Sequence, residues 1–169
     1  MATGNRPVKS VRPLQLEGTI ERILVATDLS PVGNRAVEYA RMLADGLGAN
    51  VFVVHVVPPV LQVEGVDAAA VARQGEAWAR QQLANIDIDP GCITIVHGPV
   101  VDSIAKEARR RRADVVVVGS RGLGGWKKWV LGSVAQSLLQ SAPCPVLVVP
   151  KGIRLAKTRP LRGRRGASK

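Results

Sequence analysis

Four consecutive valines, Val115 to Val118, run straight into GSRGLGGWKKWVLGSVA at residues 119–135, a stretch holding five glycines. A stiff strand leading into so permissive a turn suits close approach of main chain to a ligand. Successive amides in such a turn favour an anion, phosphate above all. Gly119 and Gly122 would let amides turn toward it without a Cβ in the way. Gly132-Ser133 would open a helix, where unpaired N–H groups and the positive dipole end attract phosphate. Ser133 would either donate its hydroxyl to that phosphate or cap its own helix, and both readings stay open. Asp28, the acid that follows the first strand, could belong to the same site or be a simple loop acid or cap near Ser30. Arg121, Lys127 and Lys128 would neutralise phosphate or face solvent. The stretch by itself also fits a surface loop with no ligand.

Two common phosphate patterns are excluded. A P-loop needs GxxxxGK followed by Ser or Thr, and neither lysine here follows a glycine. A dinucleotide fingerprint needs GxGxxG after the first strand, whereas Gly122 and Gly124 follow the fourth and lead to Lys127. Trp126 and Trp129 could cover a ligand, meet a partner or anchor the loop. His55 reads as a packed mid-strand residue. His97 reads as a polar turn residue within reach of a base. Neither histidine has a Ser or Cys partner at triad spacing. Cys92 and Cys144 form no CxxC pair and read as small, half-buried thiols, Cys92 within a strand.

The elements that must position these groups alternate. Glu21 to Thr27 reads as a buried strand. Ser30-Pro31 then supplies a helix cap and a proline at the first helical position. Ala36, Val37, Ala40, Leu43, Ala44 and Leu47 share one helical stripe, and Gly48 ends it. Val51 to Val57 is a second strand, closed by Pro58-Pro59. Asp67 to Leu83 favours helix, with Trp78 its bulkiest apolar residue. Ile93 to Val96 makes a third strand. A helix follows with Val101, Ile104, Ala105 and Ala108 facing inward, and Arg109 to Arg112 suit its negative end without any ligand. Asp114 to Val118 is the fourth strand, a helix begins near Ser133, and Val146 to Val149 is the fifth. Continuous apolar strands alternating with helices predict a three-layer α/β domain with an open parallel five-stranded sheet over residues 20–150.

With 169 residues the chain fits one domain whose core needs no disulfide or metal. No apolar run approaches a membrane span, and Met1 to Gly18 lacks the apolar run of a signal peptide, so a cytoplasmic location is the default expectation. The net charge of +11 is unevenly spread: +2 over residues 1–19, +1 over 20–150 and +8 over 151–169. The excess belongs to a basic tail, read either as a solubilising segment or as a weak, sequence-independent contact for polyanions.

Open parallel sheets bind ligands beyond the strand C-termini where strand order reverses. An order of 3-2-1-4-5 would put the end of strand one, Thr27-Asp28, beside the end of strand four, Gly119 to Gly122. The pattern Gly119-x2-Gly122-x9-Gly132-Ser133 resembles the universal stress protein family, of its ATP-binding type. The likeness extends through ATDLSPVGNRAVEYA at 26–40, VVHVVPP at 53–59, HGPVVDSIAKEA at 97–108, DVVVVGSRGLGG at 114–125 and VLGSVAQSLLQSAPCPVLVVP at 130–150.

That resemblance implies the 3-2-1-4-5 order of an adenine nucleotide alpha hydrolase-like, Rossmann-like fold, and a homodimer through the fifth strand. It implies that Gly119, Gly122, Gly132 and Ser133 surround ribose and phosphates. Ser120 and Arg121, between the first two motif glycines, and Val134 after the hydroxyl belong to the same expected site. Asp28 would lie by the ribose and approach a Mg2+ or Mn2+ ion carried by the phosphates. Thr27 and the strand-two residues Val54, His55 and Val56 would line the adenine pocket, and Gly98 would be a small residue at the end of strand three. The expectation is an ATP-binding, nucleotide-responsive stress module. Slow hydrolysis, a nucleotide-free interaction module and a nucleic-acid-associated factor acting through the tail remain its alternatives.

Overall fold

Buried side chains along each strand point alternately to two separate clusters, as period-two geometry requires of a sheet covered on both faces. The computed structural model describes residues 19–59, 65, 67–121 and 131–153. Its elements are β1 (Arg22–Ala26), α1 (Pro31–Leu47), β2 (Asn50–Val57), α2 (Ala68–Leu83), a 3₁₀ turn (Pro90–Cys92), β3 (Ile93–His97), α3 (Val100–Arg111), β4 (Val115–Gly119), α4 (Ser133–Ser141) and β5 (Val146–Val149). The five strands are parallel in the order β3-β2-β1-β4-β5, the expected topology.

One cluster joins Ile23, Val25, Val53, Val115, Val117 and Val149 to Ala36, Val37, Ala40 and Ala44 of α1 and Leu83 of α2. The other joins Leu24, Ala26, Val54, Val56, Val116 and Val118 to Ile104 and Ala108 of α3 and to Ala135 and Leu138 of α4. Right-handed crossovers explain the division. Connections leaving β1 and β2 travel one way along the sheet and those leaving β3 and β4 the other, so the two helix pairs occupy opposite faces. Each fully buried Ile, Leu or Val contributes about 1.5–3 kcal/mol relative to exposure.

Helix α1 begins as its sequence indicates. Ser30 Oγ accepts from Gly33 N at 3.0 Å, Pro31 takes the first helical position, and Gly48 closes the helix at φ 70°. Asp67 caps α2 through the amides of Ala69 and Ala70. Other expectations shift. Leu47 is exposed rather than on the buried stripe, and α2 buries only Ala79 and Leu83, leaving Trp78 half exposed. Cys92 sits in the 3₁₀ turn, before β3 begins. Arg35 donates to the carbonyl of Ile153 at 3.0 Å, and Ile153 packs on the first cluster.

Two of the arginines at the end of α3, Arg110 and Arg111, are tied to neighbouring side chains of the fold. Glu107, 5% exposed, accepts from Arg110 and Arg111. Arg111 also donates to Thr94 Oγ1 at 3.0 Å, with its guanidinium 4.6 Å from the Phe52 ring centroid. The helix is thereby tied to β2 and β3. Asp114, just before β4, accepts from the amides of Glu21 at 2.9 Å and Arg22 at 2.8 Å, which aligns the entry of β1 with that of β4.

The amide hydrogen bond from Glu21, with that from Arg22, holds the Asp114 carboxyl below the ordinary carboxylate range. The Arg110 hydrogen bond, with Arg111 behind it, does the same for Glu107. Both groups lose protons more readily in the folded chain than in the unfolded one. Their stabilisation is therefore complete above the ordinary range near ~4 and is lost as pH falls through the folded-state values. Urea titrations from pH 7 to pH 2 are expected to show stability declining on that acid side. Asp114→Asn should lower stability at pH 7 and flatten the decline; an unchanged acid limb would remove Asp114 from this role.

Candidate functional site

Strand β1 ends at Ala26, flanked by Val54 on β2 and Val118 on β4. Thr27 continues toward the reversal point with each polar group engaged. Its N–H donates to Val54 O at 3.0 Å, and its carbonyl meets Nδ1 of His55 at 2.9 Å. Its hydroxyl oxygen accepts from Leu29 N at 3.0 Å and stands 3.4 Å from Asn34 Oδ1. One residue on, Asp28 Oδ1 accepts from Ser30 N at 3.1 Å. That bond closes a local turn between Asp28 and the residue that caps α1.

Two successive side-chain-to-backbone turns force Leu29 to φ 63°, a left-handed conformation that costs a non-glycine residue about 1–2 kcal/mol. Strain of this kind gathers at functional sites. Gly33, in the first turn of α1, lies directly under the turn. A Cβ built there would stand 2.5 Å from Asp28 Oδ1 and 2.8 Å from Thr27 Oγ1. The absence of a side chain at Gly33 is what lets α1 begin so close to β1.

Across the reversal, Ser120 N donates to Val149 O and Ser120 O accepts from Gly132 N, both at 2.8 Å. The described ends of the glycine-rich stretch therefore close on each other beside Thr27-Asp28. A Cβ on Gly132 would sit 3.3 Å from both Ser120 O and Arg121 Cα. At Gly119 a Cβ would meet Val32 Cγ1 at 3.1 Å and Val32 O at 3.2 Å, and its φ is not positive. Its missing side chain admits α1. Gly132 is the N-cap of α4 and makes no side-chain capping bond. Ser133 is the first helical residue and is exposed, so the reading of Ser133 as its own helix cap is corrected.

The remaining expected positions divide. Val54 and Val56 are buried at 0% and 8% exposure within the α3–α4 cluster, so their side chains face core. His55 alternates to the opposite face and is half-buried. Val134 is half-buried against the α3–α4 cluster. Gly98 follows β3 at φ 139°, its N–H on Val57 O at 3.1 Å, so this turn requires glycine. His97 pairs with Glu76 of α2 at 2.9 Å. Gly122, Trp126, Lys127, Lys128 and Trp129 lie outside the described residues. Among the described residues no three His, Cys, Asp or Glu side chains gather to hold a metal. Sequence reasoning missed Gly33 and Leu29, although a glycine in the first turn of a helix was a visible signal of close backbone approach.

Fold and site together define a doubly wound parallel α/β domain, with a helix N-terminus and a strained acidic turn meeting at the strand reversal. Residues 19–150 match the family model described as the universal stress protein family. Over 132 residues the chain is 33% identical to a universal stress protein of Thermus aquaticus, covering 75% of this chain and 96% of that one. The structure is similar to universal stress protein UspA from Lactobacillus plantarum, with TM-score 0.69 and 21% identity over 78% of this chain and 99% of the other, a likeness of fold. It is also similar to a universal stress protein solved in complex with cAMP, with TM-score 0.54 and 26% identity over 79% and 99% of the two chains. The chain belongs to the universal stress protein family.

Helix propensity favours alanine over glycine by roughly 0.5–1 kcal/mol, while a forced overlap of this kind costs about 1–3 kcal/mol. Gly33→Ala should therefore be net destabilising. Gly75→Ala, in α2 with nothing within 4 Å of its would-be Cβ, should stabilise. Paired urea denaturation curves decide the point; equal stabilisation by both changes would show that Gly33 is not a contact site.

Proposed function

We propose that this chain binds an adenine nucleotide at the C-terminal edge of β1 and β4, and that the nucleotide regulates a homodimeric stress-response module. One observation carries the reading: Thr27-Asp28 and the Ser120–Gly132 closure follow the C-terminal ends of the paired strands β1 and β4, and that closure is the N-terminus of a helix with no side-chain cap. Amides at such a terminus favour phosphate oxygens, and the exposed Ser133 hydroxyl can donate to the same group. Gly119 and Gly132 serve by keeping α1 and α4 close to β4. Gly122 and Arg121 belong to the same proposed cradle. Thr27 shapes the adenine side, together with the backbone of Val54, His55 and Val56 and the turn at Gly98. The similar structure holding cAMP supports an adenine ligand of this class, and the full glycine motif supports ATP.

Mg2+ or Mn2+ would accompany the phosphates. Asp28 offers the hard carboxylate oxygen such ions take, and phosphates and water would complete the shell. The second copy is assigned to β5, which stands at the open edge of the sheet with Val146, Leu147 and Val148 half-buried.

Titration calorimetry with ATP, cAMP and GTP, with and without Mg2+, tests the reading, and light scattering tests the dimer. Ser133→Ala should raise the ATP Kd about tenfold or more, the worth of a hydrogen bond to a charged group. It should leave the Tm of the nucleotide-free protein unchanged, because Ser133 caps nothing. A lower Tm with unaltered affinity would assign Ser133 to the helix instead, and no binding of any adenine nucleotide would sink the proposal.

A further inference from the structure

We infer that His55 is a positioning residue, which holds the turn after β1 through a hydrogen bond from its Nδ1 to the Thr27 carbonyl. The inference rests on the nucleotide reading for its functional consequence but not for its geometry. The 2.9 Å separation joins a ring nitrogen to a carbonyl oxygen, which has no proton to give, so Nδ1 must carry the hydrogen. The parallel ladder between β1 and β2 reaches Thr27 through its N–H on Val54 O. At the next acceptor the side chain of His55 takes the place a further amide of β2 would fill.

Every link from that point is local and in series. Thr27 Oγ1 receives the Leu29 amide, Asp28 Oδ1 receives the Ser30 amide, and Ser30 Oγ receives the Gly33 amide. Leu29, at φ 63°, is the strained member. The ring fixes the carbonyl at the head of this series, so rotation of the Thr27 peptide plane would disturb both turns behind it. His55 thus acts on the ligand side through Thr27 and Asp28. Its side chain lies on the α1–α2 face, opposite the buried Val54 and Val56.

The test uses three variants of the full chain. In His55→Asn the carboxamide N–H lies near the place of Nδ1–H; in His55→Gln it reaches toward the place of Nε2; His55→Leu removes the donor. His55→Asn should bind ATP within about threefold of the unchanged protein, and His55→Gln and His55→Leu should bind about tenfold more weakly. Hydrogen exchange at the Leu29 and Ser30 amides, measured without nucleotide, should quicken in the Gln and Leu variants and not in Asn. On the unchanged protein, nitrogen NMR should find neutral His55 protonated at Nδ1, a readout that needs no variant to fold. A proton at Nε2, equal exchange in all three variants, or an Asn variant as impaired as Leu would overturn the inference. If the unchanged protein bound no nucleotide, the functional reading would fail, and exchange and tautomer would still decide the role of His55.

Discussion

At Thr27 the main chain must pass from a buried sheet to a buried helix within four residues, and no polar group there has room to go unpaired. Thr27 is 5% exposed and Ser30 3%, so water cannot satisfy them fully. An unpaired buried amide or carbonyl costs about 1–3 kcal/mol, comparable to the strain of one left-handed residue. The chain accepts the strain at Leu29 and satisfies the hydrogen bonds. Everything at the reversal point follows from that balance: α1 must begin immediately, Gly33 must lack a side chain, and the Asp28 carboxylate is aimed by its bond to Ser30.

The same logic operates across the strand reversal. Gly119 and Gly132 are small because helices α1 and α4 press on the end of β4, which brings the start of α4 back onto Ser120. Close packing of main chain, rather than loop freedom alone, therefore sets where amides and the Ser133 hydroxyl stand. The opposite edge of the sheet is held by charge instead. Asp114 clamps the entries of β1 and β4, and Glu107 keeps Arg111 over Phe52. Alignment at that edge propagates along the rigid strands to the site edge, because register in a parallel sheet is shared along its whole length.

Membership of the universal stress protein family fits this division of labour. Its relatives of known structure share the sheet and its order, and one holds cAMP. In this chain the two histidines stand at or near the C-terminal ends of adjacent strands. Each is bound to a different element, His55 to the turn after β1 and His97 to Glu76 of α2. These bonds tie the edge of the crevice to the layers beneath it.

Much of the architecture was legible in the residues themselves. Apolar runs marked five strands, Ser30-Pro31 and Gly48 marked the ends of α1, and the glycine pattern marked the candidate site, because these are local properties of composition and spacing. Bounds moved by a residue or two where a strand end is set by its neighbours, as at Gly119, which pairs with Val149. Leu47 was misplaced because burial depends on what a helix packs against, and periodicity alone does not contain that. The roles of Gly33, Gly119, Ser133 and His55 emerged only in three dimensions. Gly33 and His55 act on Thr27 and Asp28, while Gly119 and Ser133 take their places from α1 and β4. The sequence by itself determined which segments are stiff, apolar or permissive. Tertiary structure decided which backbone each glycine admits and which carbonyl each side chain holds, since those depend on distances between elements far apart along the chain.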